Sequence, residues 1–252
     1  MVKDSVFRSY YTVLLLALVC SALIAITAVG LRPQQEANRL QDQRKNILYA
    51  AGLYEEGKNI DELFAPIETR FIELATGLYL SPDQVDSRSK PKGRILEGDE
   101  DIAGLHLLEQ YSPVYLVKHN GQLSQIILPV RGKGLWSTMY AYVAIDSDLT
   151  TIRGISFYEH GETPGLGGEI ENKKWQDGWQ GKKLYAPDGE MELRVLKGTS
   201  DATGDKNLYQ VDGLSGATIT AKGVSKLMEF WFGEHGFKPY LLQLKNRDKS
   251  NG

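Results

Sequence analysis

The sequence predicts an α+β protein, with a single N-terminal transmembrane helix followed by one domain of mainly antiparallel sheet and flanking helices. Three observations lead to this class. A long uncharged run lies near the N-terminus, short apolar runs separated by turn residues fill the centre, and an amphipathic stripe lies near the C-terminus. The chain has 252 residues, 42% of them apolar, which is enough to bury a substantial core.

The N-terminal run from Tyr10 to Leu31 contains 22 residues and no charge. As a helix it is about 33 Å long, close to the thickness of a bilayer's hydrocarbon core. A cleaved signal peptide is the alternative, but its apolar region is usually about 7–15 residues and ends at a small-x-small site. Ala25-Ile26-Thr27 matches such a site poorly. We therefore expect an uncleaved span over residues 10–31. Basic residues flank both ends, so charge does not decide its orientation.

The pattern after the span predicts a helix over residues 34–56 and a second over 60–76, where apolar residues recur at three- and four-residue steps. The polar stretch 81–101 is predicted to be an exposed loop. The predicted organisation is a short N-terminus (1–9), the span (10–31), a helical connector (32–58) and one domain (59–252).

The central runs predict antiparallel strands. Residues 113–118 and 122–130 flank Asn120-Gly121, a strong hairpin signal because both residues tolerate positive φ. Two more strands are expected at 139–145 and 152–158, and shorter ones at 192–197 and 208–211. A helix over 219–232 is expected to pack one apolar face on the sheet. That face consists of Val224, Leu227, Met228, Trp231 and Phe232.

Composition excludes several classes of function. A formal net charge of −3 gives no general attraction to nucleic acid. One cysteine, Cys20, cannot form an intrachain disulfide, and the four histidines are scattered, so no metal site is indicated.

The segment from Asp212 to Thr220 carries the strongest chemical signal. Gly213 and Gly216 allow positive φ and close approach of a bulky group, and Ser215 is a typical helix cap. The unpaired N–H groups of a helix N-terminus bind phosphate well, and Lys222 adds a positive charge one turn later. From the residues alone, a phosphate-binding turn and an ordinary helix cap are equally good interpretations.

Residues Asp212-Gly213-Leu214-Ser215-Gly216-Ala217-Thr218 resemble the flavinylation motif of the FMN-binding domain family. The resemblance implies FMN bound covalently as a phosphoester of Thr218, not Thr220, by a separate flavin transferase that takes FMN from FAD. Residues 160–167 and 132–137 resemble two further loops of that family, which lie beside the flavin ring; taken alone they indicate a surface turn and a core tryptophan. The candidate cofactor-binding residues are Thr218, Ser215, Gly216, Ala217, Trp136, Ser137, Glu162, Thr163, Gly165, Leu166, Gly167 and Lys222.

The whole chain is similar to the C subunit of the bacterial Na⁺-translocating NADH:quinone oxidoreductases. This resemblance implies an electron-relay subunit in the inner membrane, with its domain in the periplasm and no complete activity alone. The implied partners are the other subunits, including a second FMN-carrying one, together with the lipid bilayer and the flavin transferase. No Gly-x-Gly-x-x-Gly turn follows a predicted strand, so we expect no NADH site in this chain.

Two alternatives stay open. The G subunit of an Rnf-type ferredoxin:NAD⁺ oxidoreductase has the same anchor and covalent FMN, but is typically shorter. A non-redox envelope protein, anchored by one helix and binding a ligand or partner, is the alternative from a different class.

Overall fold

The computed structural model describes residues 2–81, 93–200 and 204–250, with side chains from 7 to 247. It divides the chain into two compact units, Met1–Gln43 and Arg44–Gly252. The first unit lies within helix α1 (Val2–Ala51), which in the described part of the chain is the one helix long and apolar enough to cross a membrane. The predicted span at 10–31 lies wholly inside α1, and all its residues are exposed.

The second unit contains the sheet and the remaining helices. The strands are β1 (Ile67–Glu73), β2 (Gly93–Ile95), β3 (Leu107–Glu109), β4 (Tyr111–His119), β5 (Gln122–Lys133), β6 (Thr138–Asp146), β7 (Ile152–Glu159), β8 (Arg194–Val195) and β9 (Gln210–Val211). The helices are α2 (Ile60–Phe64), α3 (Lys173–Asp177), α4 (Thr218–Trp231) and α5 (Lys238–Ser250). The main sheet has five strands in the order β1-β4-β5-β6-β7, and every neighbouring pair is antiparallel. The predicted α+β class is confirmed.

The predicted helix over 60–76 is wrong. Only α2 is helical, and the following residues form β1, which pairs with β4 along its whole length from Ile67 to Glu73. Ile67 and Ile72 are buried on opposite faces of the sheet, as strand periodicity requires. Pairing with β4 outweighed the local helical pattern, which is a weak preference when tertiary contacts compete.

The predicted hairpin is confirmed. Asn120 and Gly121 have φ of 51° and 80°, so both central residues of the turn between β4 and β5 take the left-handed conformation expected of a type I′ turn. The strands predicted at 139–145 and 152–158 are β6 and β7. The two strands predicted near 192–197 and 208–211 shrink to the two-residue parallel pair β8 and β9.

The central strands alternate between two apolar layers. In β6, Met139, Ala141 and Val143 face the larger layer, whereas Tyr142 and Ala144 face the smaller one. The smaller layer includes the last turns of α1, which belong to the second unit from Arg44 onward. The chain predicted as a connector over 32–58 therefore enters the folded unit in its second half. Gly52, with φ of +67°, ends α1 as glycine commonly does at a helix C-terminus.

Helix α4 covers the larger layer, as predicted from its apolar stripe. All five residues of that stripe are buried. The helix approaches β5 closely at Gly223, where a Cβ would lie only 2.5 Å from the Lys133 carbonyl oxygen. This contact places the start of α4 beside the segment that follows β5. Helix α5, which the sequence pattern did not predict, buries Tyr240 and Leu241 in the same layer.

The exposed loop predicted at 81–101 falls largely on residues 82–92, which lie outside the described residues. Its described end is not all loop, because residues 93–95 form β2 and pair with β3. That pairing again depends on residues distant in sequence.

Candidate functional site

The motif segment joins β9 to α4 in the predicted strand-to-helix arrangement. Helix α4 begins at Thr218, and its N-cap residue is Ala217, which provides no side-chain hydrogen bond. The prediction that Ser215 caps the helix is therefore wrong; Ser215 is exposed and lies two residues too early. The first N–H groups of α4 thus lack the side-chain acceptor that a Ser, Thr, Asp or Asn cap supplies.

The first two residues of the motif hold the local fold. The Asp212 carboxylate accepts a hydrogen bond from the Ser200 N–H at 2.7 Å, and its carbonyl accepts one from the Trp175 indole at 2.8 Å. Gly213 lies against the Leu196 carbonyl oxygen with no room for a Cβ. The motif therefore owes these two residue types to packing and hydrogen bonding within the domain.

Gly216 shapes the turn that precedes the helix. Its φ of +70° is the left-handed region that favours glycine. A Cβ at this position would lie 2.9 Å from a methyl carbon of Leu166, so the loop carrying Leu166 rests on this turn. The structure thus brings together two of the three segments that the sequence singled out.

Glu162 joins all three segments. Its carboxylate accepts hydrogen bonds from the backbone N–H groups of Leu135 (3.1 Å), Trp136 (2.9 Å) and Ser137 (3.3 Å). It also accepts one from the Thr220 hydroxyl at 2.6 Å. Glu162 is 4% exposed, so these bonds are made in the interior. One side chain therefore fixes the loop after β5, the loop after β7 and the first turn of α4 to each other.

Two glycines leave room for this carboxylate. A Cβ on Gly134 would lie 2.5 Å from Glu162 Oε1, and a Cβ on Gly167 would lie 2.5 Å from Thr220 Oγ1. Neither glycine has a positive φ, so close packing is the reason for the residue type. The predicted cofactor residue Gly167 is buried here, beneath the surface of the site.

Ser137 provides a second link between the loops. Its hydroxyl accepts a hydrogen bond from the Gly161 N–H at 2.5 Å, and donates one to the Thr138 carbonyl at 3.2 Å. The Glu162 N–H donates to His160 Nδ1 at 3.1 Å. The polar atoms of Ser137 and Glu162 therefore both bond other parts of the protein.

Burial by itself raises the pKa of Glu162, since it penalises the charged form. The hydrogen bonds from Thr220 and from the three backbone N–H groups outweigh burial, and the pKa of Glu162 is lowered below its usual range. The carboxylate is therefore ionised at neutral pH.

Large apolar side chains are exposed around the start of α4. Trp136 is 65% exposed, and Leu135, Leu166 and Ile219 are also exposed. They lie on the three segments that Glu162 joins. Such a grouping of exposed apolar residues is typical of a surface that binds an apolar group or a partner. Trp136 is therefore not a core tryptophan, the alternative that the sequence left open for this residue.

The predicted site residues occupy three depths. Exposed are Trp136, Thr163, Gly165, Leu166, Ser215, Gly216 and Lys222; half-buried are Ser137 and Thr218; buried are Glu162, Gly167 and Ala217. Leu135 and Ile219 are exposed at the site although the motif does not indicate them, and the bond from Thr220 to Glu162 has no local signal in the sequence. A cavity of about 430 Å³ lined by Leu74, Arg94 and His235, among others, contains none of the predicted site residues.

Comparison with known proteins places this part of the chain in a family. The model of the FMN-binding domain family matches residues 134–233. The chain is 45% identical to the C subunit of the Na⁺-translocating NADH-quinone reductase of Neisseria meningitidis serogroup B, over 97% of this chain and 96% of that one. It is 42% identical to the corresponding subunit of Pseudomonas aeruginosa, over 96% and 97%. A crystal structure of NqrC from Shewanella oneidensis matches with a TM-score of 0.73 and 34% identity, covering 82% of this chain and 98% of that one.

Proposed function

The chain belongs to the C-subunit family of the Na⁺-translocating NADH-quinone reductases, and on that premise we propose that it carries FMN as a phosphoester of Thr218. It is one subunit of a multi-subunit oxidoreductase, and its own part is electron transfer. The observation that carries the proposal is a difference between two threonines in the first turn of α4. Thr220 is buried and hydrogen-bonded, whereas Thr218 is half-buried.

Thr220 is unsuited to attachment. It is 1% exposed, and its hydroxyl already donates to Glu162. Gly167 packs so closely that a Cβ on it would lie 2.5 Å from the Thr220 hydroxyl oxygen. A phosphate there would also face the Glu162 carboxylate, a like charge in a buried place.

Thr218 is suited to attachment. It is half-buried at the first position of α4, and within the described residues its hydroxyl has no hydrogen-bond partner. The N–H groups of the same turn lack a side-chain cap, so the helix terminus favours an anion. Exposed Lys222 lies one turn further along and adds a positive charge.

The attachment reaction balances as a phosphoryl-type transfer. The Thr218 oxygen bonds to the phosphorus of the FMN half of FAD, the bond to the bridging oxygen breaks, AMP leaves, and the hydroxyl proton is released. The transferase supplies the catalysis. This chain supplies a hydroxyl held at the rim of a folded site.

FMN fits the remaining surface. It accepts or gives up one or two electrons, and a protein sets its exposure and potential. Leu135, Trp136, Leu166 and Ile219 would give its ring an apolar resting surface, and the first turn of α4 would hold its phosphate. Thr163 and Gly165 are exposed on the same loop as Leu166. Glu162 and Ser137 hold the loops in place, and we propose that this scaffold positions the flavin.

The uncharged segment of α1 is proposed to anchor the chain in the bacterial inner membrane, with the folded unit on the periplasmic side. The relatives are subunits of a multi-subunit complex, which supports other subunits as partners. Identities of 42–45% to these curated relatives over nearly the full length favour this family over an Rnf-type G subunit.

The test is in-gel fluorescence after co-expression with a flavin transferase. Full-length wild-type protein should give a band that fluoresces under ultraviolet light after denaturing electrophoresis, and Thr218→Ala should give a dark band of equal protein amount. Thr220→Val is the matched control and should stay fluorescent. Mass spectrometry of the peptide containing Thr218 should show the added FMN. A dark wild-type band would refute the proposal, and a fluorescent Thr218→Ala band would move the attachment site.

A further inference from the structure

The Glu162 carboxylate is an unusual charge to find in a protein interior. It is 4% exposed, and the four groups that donate to it are all uncharged, namely three N–H groups and one hydroxyl. In the described part of the chain its charge is therefore solvated by dipoles and not neutralised by a cation. The lowered pKa of Glu162 is consistent with a permanent negative charge at neutral pH.

This charge lies among the three segments that form the proposed flavin site. Two of its backbone donors belong to Leu135 and Trp136, whose side chains are exposed apolar walls of the site. Its hydroxyl donor, Thr220, is two residues from the proposed tether, Thr218. Because the carboxylate is buried, counter-ions screen it far less than they screen a surface charge.

From this geometry, and resting on the proposed function, we infer that the negative charge of Glu162 lowers the reduction potential of the flavin. Each electron that the flavin accepts brings negative charge into the site. A fixed negative charge beside it makes that step less favourable, and the effect is larger in a weakly polar surrounding than in water. The residue thus sets the potential as well as the arrangement of the loops.

The Thr220 hydroxyl has the opposite effect on the flavin, because it weakens the electric field of the Glu162 carboxylate. The hydroxyl points its hydrogen at the carboxylate at 2.6 Å, so its dipole offsets part of the negative field. Removing the carboxylate charge and removing the hydroxyl therefore have opposite expected effects on the flavin. A purely structural role for the pair gives no reason for shifts of opposite sign, since both changes disturb hydrogen bonds at the same place.

The experiment is a redox titration of the full chain, purified in detergent after co-expression with a flavin transferase. The absorbance of the attached flavin is followed against the potential set by mediators and a chemical reductant. Glu162→Gln should shift the midpoint to more positive values, and Thr220→Val should shift it to more negative values. Glu159→Gln, which removes an exposed carboxylate at the end of β7, is the matched control and should shift it least.

An unchanged or more negative midpoint in Glu162→Gln would overturn the inference. If Glu162→Gln does not fold, Thr220→Val provides the test. An unchanged or more positive midpoint in Thr220→Val would likewise overturn the inference. Loss of flavin from both variants would also overturn it, because the pair would then be purely structural. Wild-type protein without flavin would instead refute the proposed function, and so the two failures are distinguishable.

Discussion

The hydrogen bond between Thr220 and Glu162 makes a quantitative prediction about stability. Thr220→Val keeps the branched shape of the side chain and replaces the hydroxyl by a methyl group, so no cavity is created. A buried hydrogen bond to a charged group contributes about 1.5–3 kcal/mol. Glu162 keeps three N–H donors in the variant, so its charge is not left bare. We therefore expect a loss of about 1.5–3 kcal/mol and no larger collapse.

The measurement is urea unfolding of the full-length protein without flavin, followed by tryptophan fluorescence, with the midpoint shift multiplied by the slope. Since 1 kcal/mol shifts the Tm of a domain of this size by about 2–4 °C, the Tm should fall by roughly 3–12 °C. Thr163→Val makes the same chemical change on the exposed part of the same site. That control should stay within about 0.5 kcal/mol of wild type.

The pH dependence gives a second, independent check on this bond. The pKa of Glu162 is lowered in the folded state, so its stabilising contribution is present above the unfolded value of about 4.3 and is lost as pH falls through the lower folded value. The penalty of Thr220→Val should thus be full near pH 7 and should shrink on acidification below about pH 4. A penalty equal to that of Thr163→Val, or one that grows as pH falls, would refute the reasoning.

Three further predictions concern single residues of the site. Gly167→Ala should destabilise the domain by about 1–3 kcal/mol in the same urea assay, because its Cβ would lie 2.5 Å from the buried Thr220 hydroxyl; a neutral change would show that the oxygen can move. Ser215→Ala should cost less than about 0.5 kcal/mol, since Ser215 is not the cap, whereas loss of a true cap costs about 1 kcal/mol. Trp136→Ala should leave the urea midpoint nearly unchanged, as the side chain is 65% exposed, but should make the flavin more accessible to iodide quenching; equal quenching in both proteins would remove Trp136 from the site.

Local signals in the sequence were sufficient wherever a short segment determines its own conformation. Asn120-Gly121 specifies its turn by its tolerance of positive φ, and the apolar stripe of α4 specifies which face it buries. The sequence pattern does not reveal β1, because its pairing partner, β4, lies about 40–50 residues away along the chain. Helix α5 was missed because its apolar residues, including Tyr240 and Leu241, are few among many polar ones.

The site divides in the same way. Nothing local distinguishes Glu162 from a solvated surface carboxylate beside a turn, because its four donors come from segments about 25 and 58 residues away along the chain. Its burial follows only once β5, β7 and α4 are packed together. The resemblance predicts that Glu162 lies at the flavin, and this stays a prediction; the structure adds that its oxygens bond the protein.

This division changes what the motif itself means. Most residues of the motif have a structural role. Asp212 forms hydrogen bonds, Gly213 packs closely, Gly216 has a positive φ, and Ala217 is buried. Only Ser215 and Thr218 present polar side chains that the described part of the domain does not bond. The motif thus encodes a backbone shape more than a set of contacting groups. A transferase that recognises the motif would find that backbone shape only in the folded domain. There the Thr220 hydroxyl is bonded to Glu162, which leaves the Thr218 hydroxyl available for attachment.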